Sequence, residues 1–144
     1  MSTVPPGLAE AAREFTRPDA LSFITGARAP RGKRRAAVLI LLGGSAAGFD
    51  VVLVEKRADL RSHAGQIAFP GGGIETIDVD PVAAALREAR EEVGVDPAAV
   101  EVLGVLPAAH IPRSGFDVTS VVGWWPDPVP LVPVDTDEIA AVHQ

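Results

Sequence analysis

The segment that decides the fold is DPVAAALREAREEVG, residues 80–94, which has the pattern of one amphipathic helix with a boundary signal at each end. Asp80, or Asp78 just before it, supplies an oxygen for the free N–H groups of the first turn, and Pro81 suits the first helical position. Gly94 is typical of the residue that ends a helix in the left-handed conformation. The sequence therefore predicts a helix that ends just before this glycine.

The two faces of this predicted helix differ in chemistry. Four apolar side chains lie on one stripe at helical spacing and are expected to pack on the core: Val82, Leu86, Ala89 and Val93. Three carboxylates, Glu88, Glu91 and Glu92, share the other face. Like charges four residues apart repel each other, so a cation between Glu88 and Glu92 would stabilise the helix. This face is either a solvated surface or a site for a hard divalent ion, which prefers oxygen ligands.

Outward from the helix, the sequence alternates between apolar runs and turn formers. Strands are predicted at residues 36–42, 51–54, 100–107, 118–125 and 138–143, the first two as a hairpin. Strands before and after one central helix indicate an α+β fold, a mixed α/β/α sandwich. Residues 1–35 are interpreted as an N-terminal extension with a short helix, and 36–144 as the main domain. Trp124 and Trp125 alternate on a strand, so one is expected inside and the other outside.

Composition and charge exclude several classes of protein. The 144 residues are 47% hydrophobic, which suits one packed domain and not a disordered chain. The longest apolar run, residues 36–42, is too short to span a membrane, and a chain without cysteine has no disulfide framework and no thiolate site. No secretory signal is recognisable, so a cytoplasmic location is expected.

The net charge of −6 is unevenly distributed. Residues 1–35 carry an excess of basic side chains, and residues 36–144 are strongly acidic. An acidic body repels a nucleic-acid backbone, so nucleic acid is not an expected partner. The basic run RGKRR at residues 31–35 is either a solvated entry to the first strand or a contact for an anionic ligand.

The sequence REAREEVGV at residues 87–95 resembles the Nudix box of the Nudix hydrolases, whose pattern is Gly-x5-Glu-x7-Arg-Glu-U-x-Glu-Glu-x-Gly-U with U a bulky aliphatic residue. Counted back from Arg87, Val79 stands where the pattern has glutamate. Counted forward from Gly72, Asp78 takes the acidic position, with one extra residue before the arginine. We interpret this as a loop longer by one residue, which leaves the role of the acidic position open.

A second segment, LVEKRADLRSHAGQIAFPGG at residues 53–72, is similar to the signature of the coenzyme A diphosphatase branch of that family. Glu55 and Ala58 depart from it, since the branch has threonine and serine there. The resemblance implies a last strand followed by a covering helix, whereas the sequence stops at Gln144. We therefore expect the apolar residues 139–142 to add to an exposed surface, and a homodimer is one expected arrangement.

The resemblance also implies a reaction and its residues. Glu88 and Glu92 are expected to be the firmest ligands of Mg²⁺ or Mn²⁺, and Glu91 a further or water-mediated ligand. Arg87 is expected to hold these carboxylates through ion pairs. The residues expected to contact substrate are Arg57, Arg61, His63, Gly71 and Gly72.

The implied function is metal-dependent hydrolysis of the diphosphate of coenzyme A or acyl-coenzyme A to 3′,5′-ADP and 4′-phosphopantetheine. One alternative is a Nudix hydrolase that acts on another small molecule, such as ADP-ribose, a dinucleotide or a nucleoside triphosphate. A second alternative is a catalytically silent binding protein with the same fold.

Overall fold

The computed structural model describes residues 3–20, 28–45 and 48–144. This part of the chain contains the α-helices α1 (Pro6–Phe15) and α2 (Pro81–Val93). Its strands are β1 (Arg35–Ser45), β2 (Gly48–Val51), β3 (Leu53–Lys56), β4 (Ile67–Ala68), β5 (Gly71–Gly73), β6 (Glu101–Val105), β7 (Ala109–Ile111), β8 (Phe116–Trp125) and β9 (Ile139–His143). The predicted mixed α/β fold is confirmed. None of the described helices has the length and apolar character needed to cross a membrane.

The strands form two sheets. In the larger sheet the order is β2-β1-β8-β6, β5 pairs with β1 and β7 pairs with β8; the smaller sheet has the order β4-β3-β9. The pairing of β1 with β8 is parallel, and the other pairings are antiparallel. The predicted hairpin is right for β1 and β2, in which Leu42 pairs with Val51. The second predicted strand, residues 51–54, does not continue this hairpin after Val51. The chain leaves the larger sheet at buried Val52 and continues as β3 in the smaller sheet.

Both predicted ends of α2 are confirmed. The Asp80 side chain accepts a hydrogen bond from the Ala83 backbone N–H at 2.8 Å, and Pro81 is the first helical residue. Gly94 ends the helix with a φ of 78°, the left-handed region that favours glycine.

The helix packs on β1 and β5 through small side chains. Ala84, Ala85 and Ala89 are fully buried, which lets the helix axis come close to the sheet. Val93 of the predicted stripe is also buried, while Val82 and Leu86 are partly buried against the same core. The predicted core face is therefore correct, and two further alanines lie at its centre.

The last strand lies inside the fold. β9 pairs with β3 from Leu53 opposite His143 to Lys56 opposite Ile139. Ile139 is only 2% exposed, so the expectation that it adds to an exposed apolar surface is wrong. Its side chain belongs to the main core because β9 extends the smaller sheet. A homodimer stays a prediction.

The expectation that one of the two tryptophans faces outward is also wrong. Trp124 and Trp125 are both 3% exposed. Trp125 belongs to the main core, whereas the Trp124 indole donates a hydrogen bond to Thr3 Oγ1 at 3.1 Å and meets the Phe49 ring edge to face. Both faces of β8 are therefore covered at these two positions.

The N-terminal segment packs on the rest of the fold. The predicted short helix is confirmed as α1, which contacts β6 and buries Ala12. A side chain at Gly104 of β6 would overlap Thr16, so the close approach requires glycine there. The domain boundary at residue 35 stays a prediction.

Asp117 fastens the basic run to the sheet. Its buried carboxylate accepts hydrogen bonds from the backbone N–H groups of Arg31 and Gly32 and lies 2.9 Å from His110 Nδ1. The hydrogen bond from the Arg31 backbone is the main cause that holds the pKa of Asp117 below its usual value. The start of the basic run is thus anchored and is not a freely solvated tail.

We expect Asp117→Asn to lower the free energy of unfolding at neutral pH, because an amide replaces a charged acceptor of several hydrogen bonds. A lowered pKa stabilises the fold above the ordinary aspartate value of 3.8, and this contribution disappears as the pH falls through the pKa of the folded protein. Urea melts from pH 7 to pH 3 should therefore show the difference between wild type and variant shrinking in acid. A difference that is constant with pH would contradict the assignment, and Asp50→Asn on β2 is the exposed control.

Candidate functional site

The acidic face of α2 is covered in part by the glycine strand β5 and by the side chain of Lys56 from β3. Glu92 is 1% exposed, Glu88 is partly buried, and only Glu91 lies open to solvent. The interpretation of this face as a solvated surface is therefore wrong for two of its three carboxylates. Burying carboxylates is costly unless partners compensate their charge, so the partners of each one define the site.

Glu92 lies at the centre of this arrangement. Its Oε1 accepts the Gly71 backbone N–H at 2.8 Å, and its Oε2 lies 3.1 Å from Lys56 Nζ. A further carboxylate, Glu138, approaches the same ammonium group at 3.9 Å. Burial raises the pKa of Glu92, while Lys56 and the Gly71 N–H act in the opposite direction. The lysine is thus the counterion of a buried glutamate.

Glu88 packs directly on the glycine strand. A Cβ atom at Gly72 would lie 2.7 Å from Glu88 Oε1, so residue 72 must lack a side chain for this carboxylate to occupy its position. Burial, and next the charge of Glu92, raise the pKa of Glu88. The two glutamates therefore destabilise each other's charge.

Arg87 connects the acidic face to the preceding loop. Its Nε and Nη2 each donate to one carboxylate oxygen of Asp78 at 2.9 Å, a bidentate pair. Its Nη1 lies 3.2 Å from both Glu88 Oε1 and Glu91 Oε2, so the predicted Arg87–Glu91 pair is present. The hydrogen bond from Arg87 holds the pKa of Asp78 below its usual value. Asp78 in the acidic position of the box thus anchors the arginine that contacts the glutamates.

The donor set fits a hard divalent cation. All the groups are carboxylate oxygens, which Mg²⁺ and Mn²⁺ prefer, and the mutual repulsion of Glu88 and Glu92 would be relieved by a positive ion. Among residues 3–20, 28–45 and 48–144, no three acidic or imidazole groups already converge on one point. Glu88 and Glu91 instead face Arg87, and Glu92 faces Lys56. Binding a metal therefore requires these side chains to exchange partners.

A cavity of about 380 Å³ opens beside the carboxylates. Gly72 and Lys56, which touch Glu88 and Glu92, contribute to its wall. The remaining wall combines apolar side chains with polar ones: Ala36, Val38, Ala68, Phe69, Phe116 and Val118 with Arg34, Ser62, His63, Gln66 and Ser114. This volume and this mixture are typical of small-molecule sites.

The structure separates the residues predicted to contact substrate. The Arg57 guanidinium is engaged by Asp59 in a bidentate pair and by the Thr136 carbonyl oxygen, beside a different cavity. Arg61 lines a small cavity of about 170 Å³ together with Lys56 and Glu138. Both roles stay predictions, and the geometry favours Arg61 over Arg57 for a phosphate contact.

His63 lines the main cavity through an unusual backbone conformation. Its φ is 60°, which non-glycine residues adopt infrequently and which is costly unless the surroundings impose it. Its Nδ1 lies 3.1 Å from Gln66 Oε1, and both side chains border the cavity. The exposed imidazole is therefore placed for contact with a ligand, whereas a core histidine would be enclosed.

Sequence reasoning missed Lys56 and Glu138 at this site. The two residues lie on or just before strands β3 and β9, far apart in the chain, and neither belongs to the helical pattern. In the segment at residues 53–72, Lys56 occupies a position for which the similar signature specifies no residue type, so the resemblance assigned it no role. Glu138 lies near Lys56 because β3 pairs with β9, and that pairing is not evident from the sequence.

Comparison with known sequences identifies the family. The NUDIX domain matches residues 32–143. A protein of Shigella flexneri called uncharacterized Nudix hydrolase NudL is 45% identical over 118 residues, which cover 81% of this chain and 59% of the relative. The NudL of Cronobacter sakazakii is 49% identical over 94 residues, 65% of this chain and 48% of the relative. The chain thus spans about half the length of the curated relatives it matches.

Solved structures agree with the fold. The Nudix hydrolase RenU of M. smegmatis superimposes with a TM-score of 0.62 at 22% identity, covering 83% of this chain and 78% of that one. An Ap4A hydrolase of C. elegans gives a TM-score of 0.61 at 17% identity, covering 77% and 78%. The matched domain, the box on α2 and the shared architecture lead to one conclusion: the chain belongs to the Nudix hydrolase family.

Proposed function

We propose that this chain hydrolyses the diphosphate of coenzyme A or of acyl-coenzyme A, with Mg²⁺ or Mn²⁺, to 3′,5′-ADP and (acyl-)4′-phosphopantetheine. The observation that carries the proposal is the position of the segment at residues 53–72. Residues of that segment, including His63, Gln66 and Phe69, line the cavity whose wall also contains Lys56 and Gly72, the neighbours of Glu92 and Glu88. The part of the chain that resembles the coenzyme A branch is thus the part that would hold the substrate.

The reaction adds water to one phosphorus of the diphosphate, and the bond from that phosphorus to the bridging oxygen breaks. A bound divalent cation would offset the charge of the phosphate oxygens and lower the pKa of the attacking water. Glu88 and Glu92 would hold the cation, with Glu91 as a further ligand or as the group that orients water and accepts its proton. Arg87, fixed by Asp78, keeps Glu88 and Glu91 in position.

Further residues are proposed to contact the substrate. Gly72 has no side chain, which lets Glu88 pack against β5, and the Gly71 N–H binds Glu92; both glycines border the cavity and would lie against the substrate. His63, in the main cavity, and Arg61, in the small cavity that His63 also borders, would contact phosphate oxygens or the nucleotide. The expected setting is the cytoplasm, with small molecules as partners and no nucleic acid.

Product analysis tests the proposal. The protein is incubated with coenzyme A and Mg²⁺ or Mn²⁺, and the products are separated and identified by mass. We expect 3′,5′-ADP and 4′-phosphopantetheine in equal amounts, and none when EDTA is present. Parallel reactions with ADP-ribose, a dinucleoside polyphosphate and a nucleoside triphosphate test the other substrate classes. Faster turnover of one of these would replace coenzyme A as the substrate, and no turnover of any would favour a binding protein.

A further inference from the structure

The cleft continues beyond the cavity described above. A second cavity of about 370 Å³ shares six wall residues with the first: Arg34, Ser62, His63, Gln66, Ser114 and Phe116. It adds Ile111 and Arg113. The two spaces therefore form one continuous cleft, whose first part is bordered by Lys56 and Gly72 next to the glutamates of α2 and whose second part is lined by two arginines.

Arg34 is held in a defined orientation in this cleft. Its guanidinium carbon lies 4.0 Å from the centre of the Phe116 ring, a cation–π contact. Stacking uses the face of the guanidinium and leaves its N–H groups available at the edge. The backbone just before it is fixed, because Asp117 binds the N–H groups of Arg31 and Gly32. The position of Arg34 therefore does not depend on a ligand.

The two arginines of this part of the cleft have no carboxylate counterion, as is true of several other arginines in the described part of the chain. Arg57 is paired with Asp59, and Arg87 with Asp78. Among the described residues, no ion pair joins Arg34 or Arg113 to a carboxylate, although the whole chain carries a net charge of −6. Two unpaired guanidinium groups on one cleft of an acidic protein create a local site for an anion.

We propose that Arg34 and Arg113 bind a second phosphate group of the substrate, a phosphate monoester distinct from the diphosphate that is cleaved. This inference rests on the proposed function, because it assigns the second part of the cleft to the nucleotide half of the same substrate. The Phe116 ring beneath Arg34 then belongs to the nucleotide subsite, and the glutamates of α2 to the cleaved diphosphate. The pair of arginines selects nucleotides with an additional phosphate over those without it.

The kinetic test compares coenzyme A with dephospho-coenzyme A, which lacks the 3′-phosphate. We expect a kcat/KM for wild type that is roughly 10- to 100-fold higher with coenzyme A, the size of a charge-assisted hydrogen bond to phosphate. Arg34→Gln and Arg113→Gln should each bring this ratio towards one, chiefly through the KM of coenzyme A. Arg34→Lys should retain part of the preference, because it keeps the charge but loses the planar stack.

Binding of the products gives a readout that does not depend on turnover. By calorimetry without metal, wild type should bind 3′,5′-ADP more tightly than 5′-AMP, and Arg34→Gln should bind the two alike. Arg13→Gln is the matched control, since it removes an exposed arginine from the last turn of α1, which borders neither cavity. It should leave both ratios at the wild-type value.

The outcomes separate this inference from the proposed function. Hydrolysis of both compounds by wild type with equal kcat/KM would overturn the second-phosphate site and leave the proposed function intact. Hydrolysis of neither would overturn the proposed function. An unchanged substrate ratio in both Arg34→Gln and Arg113→Gln, in variants that melt like wild type, would show that other residues read the phosphate and would overturn the assignment.

Discussion

Glu88→Gln should lower kcat by at least about 100-fold, because it removes one charged ligand from a site that depends on offsetting phosphate charge. The melting temperature of the metal-free variant should equal or exceed that of wild type. Burial and the neighbouring Glu92 raise the pKa of Glu88, which means that its charged form is unfavourable in the fold and a neutral amide is better tolerated. Steady-state kinetics and thermal melts in EDTA measure the two effects.

The control for this variant is Glu10→Gln, which removes an exposed carboxylate from α1. Glu92→Gln should also lose activity. In contrast to Glu88→Gln, it should melt at a lower temperature than wild type, because an amide replaces the carboxylate that binds Lys56 and the Gly71 N–H. Turnover like that of wild type in both Glu88→Gln and Glu92→Gln would show that these carboxylates are not ligands. A loss of activity accompanied by unfolding of Glu88→Gln would contradict the account of its buried charge.

Lys56→Met should lower the free energy of unfolding by about 3 kcal/mol in the absence of divalent metal, because it leaves the buried charge of Glu92 without its counterion. The carboxylate would keep only the Gly71 N–H as a hydrogen-bond donor. A divalent cation can replace the lost positive charge, so Mg²⁺ should raise the melting temperature of the variant more than that of wild type. Urea melts with EDTA and with Mg²⁺ measure both effects.

Lys33→Met is the matched control, because it makes the same change in charge and shape at an exposed lysine. It should have little effect under either condition. If Lys56→Met were as stable as wild type in EDTA, the charge of Glu92 would not need this lysine. If Mg²⁺ stabilised both proteins equally, the lysine and the metal would not act on the same carboxylate.

The sequence predicted the site best where its information is local. The helix α2 and its ends depend on Asp80, Pro81 and Gly94, each of which acts within one turn of its neighbours. The Arg87–Glu91 pair is likewise a contact between adjacent turns. These features need only helix geometry, which is why the pattern of residues 80–94 suffices.

The rest required knowledge of the sheets. The side chain of Lys56, on β3, reaches Glu92 of α2, which lies 36 residues further along the chain, and Glu138 reaches Lys56 because β9 pairs with β3. Burial of the acidic face also depends on β5, since the exposure of Glu92 cannot be deduced from its own helix. A one-residue change of loop length obscured Asp78, whose role became evident only from its two hydrogen bonds to Arg87.

The parallel pairing of β1 with β8 has a consequence for the order of folding. It joins strands from opposite halves of the chain, from Arg35 beside Asp117 to Gly43 beside Trp125. Such long-range contacts form slowly, because the chain loses the conformational entropy of closing a large loop before the contacts stabilise it. During synthesis the apolar strand β1 leaves the ribosome long before its parallel partner β8 exists. The nascent chain therefore exposes Leu39 and Leu41, and protection of this strand by a chaperone matters most in that interval.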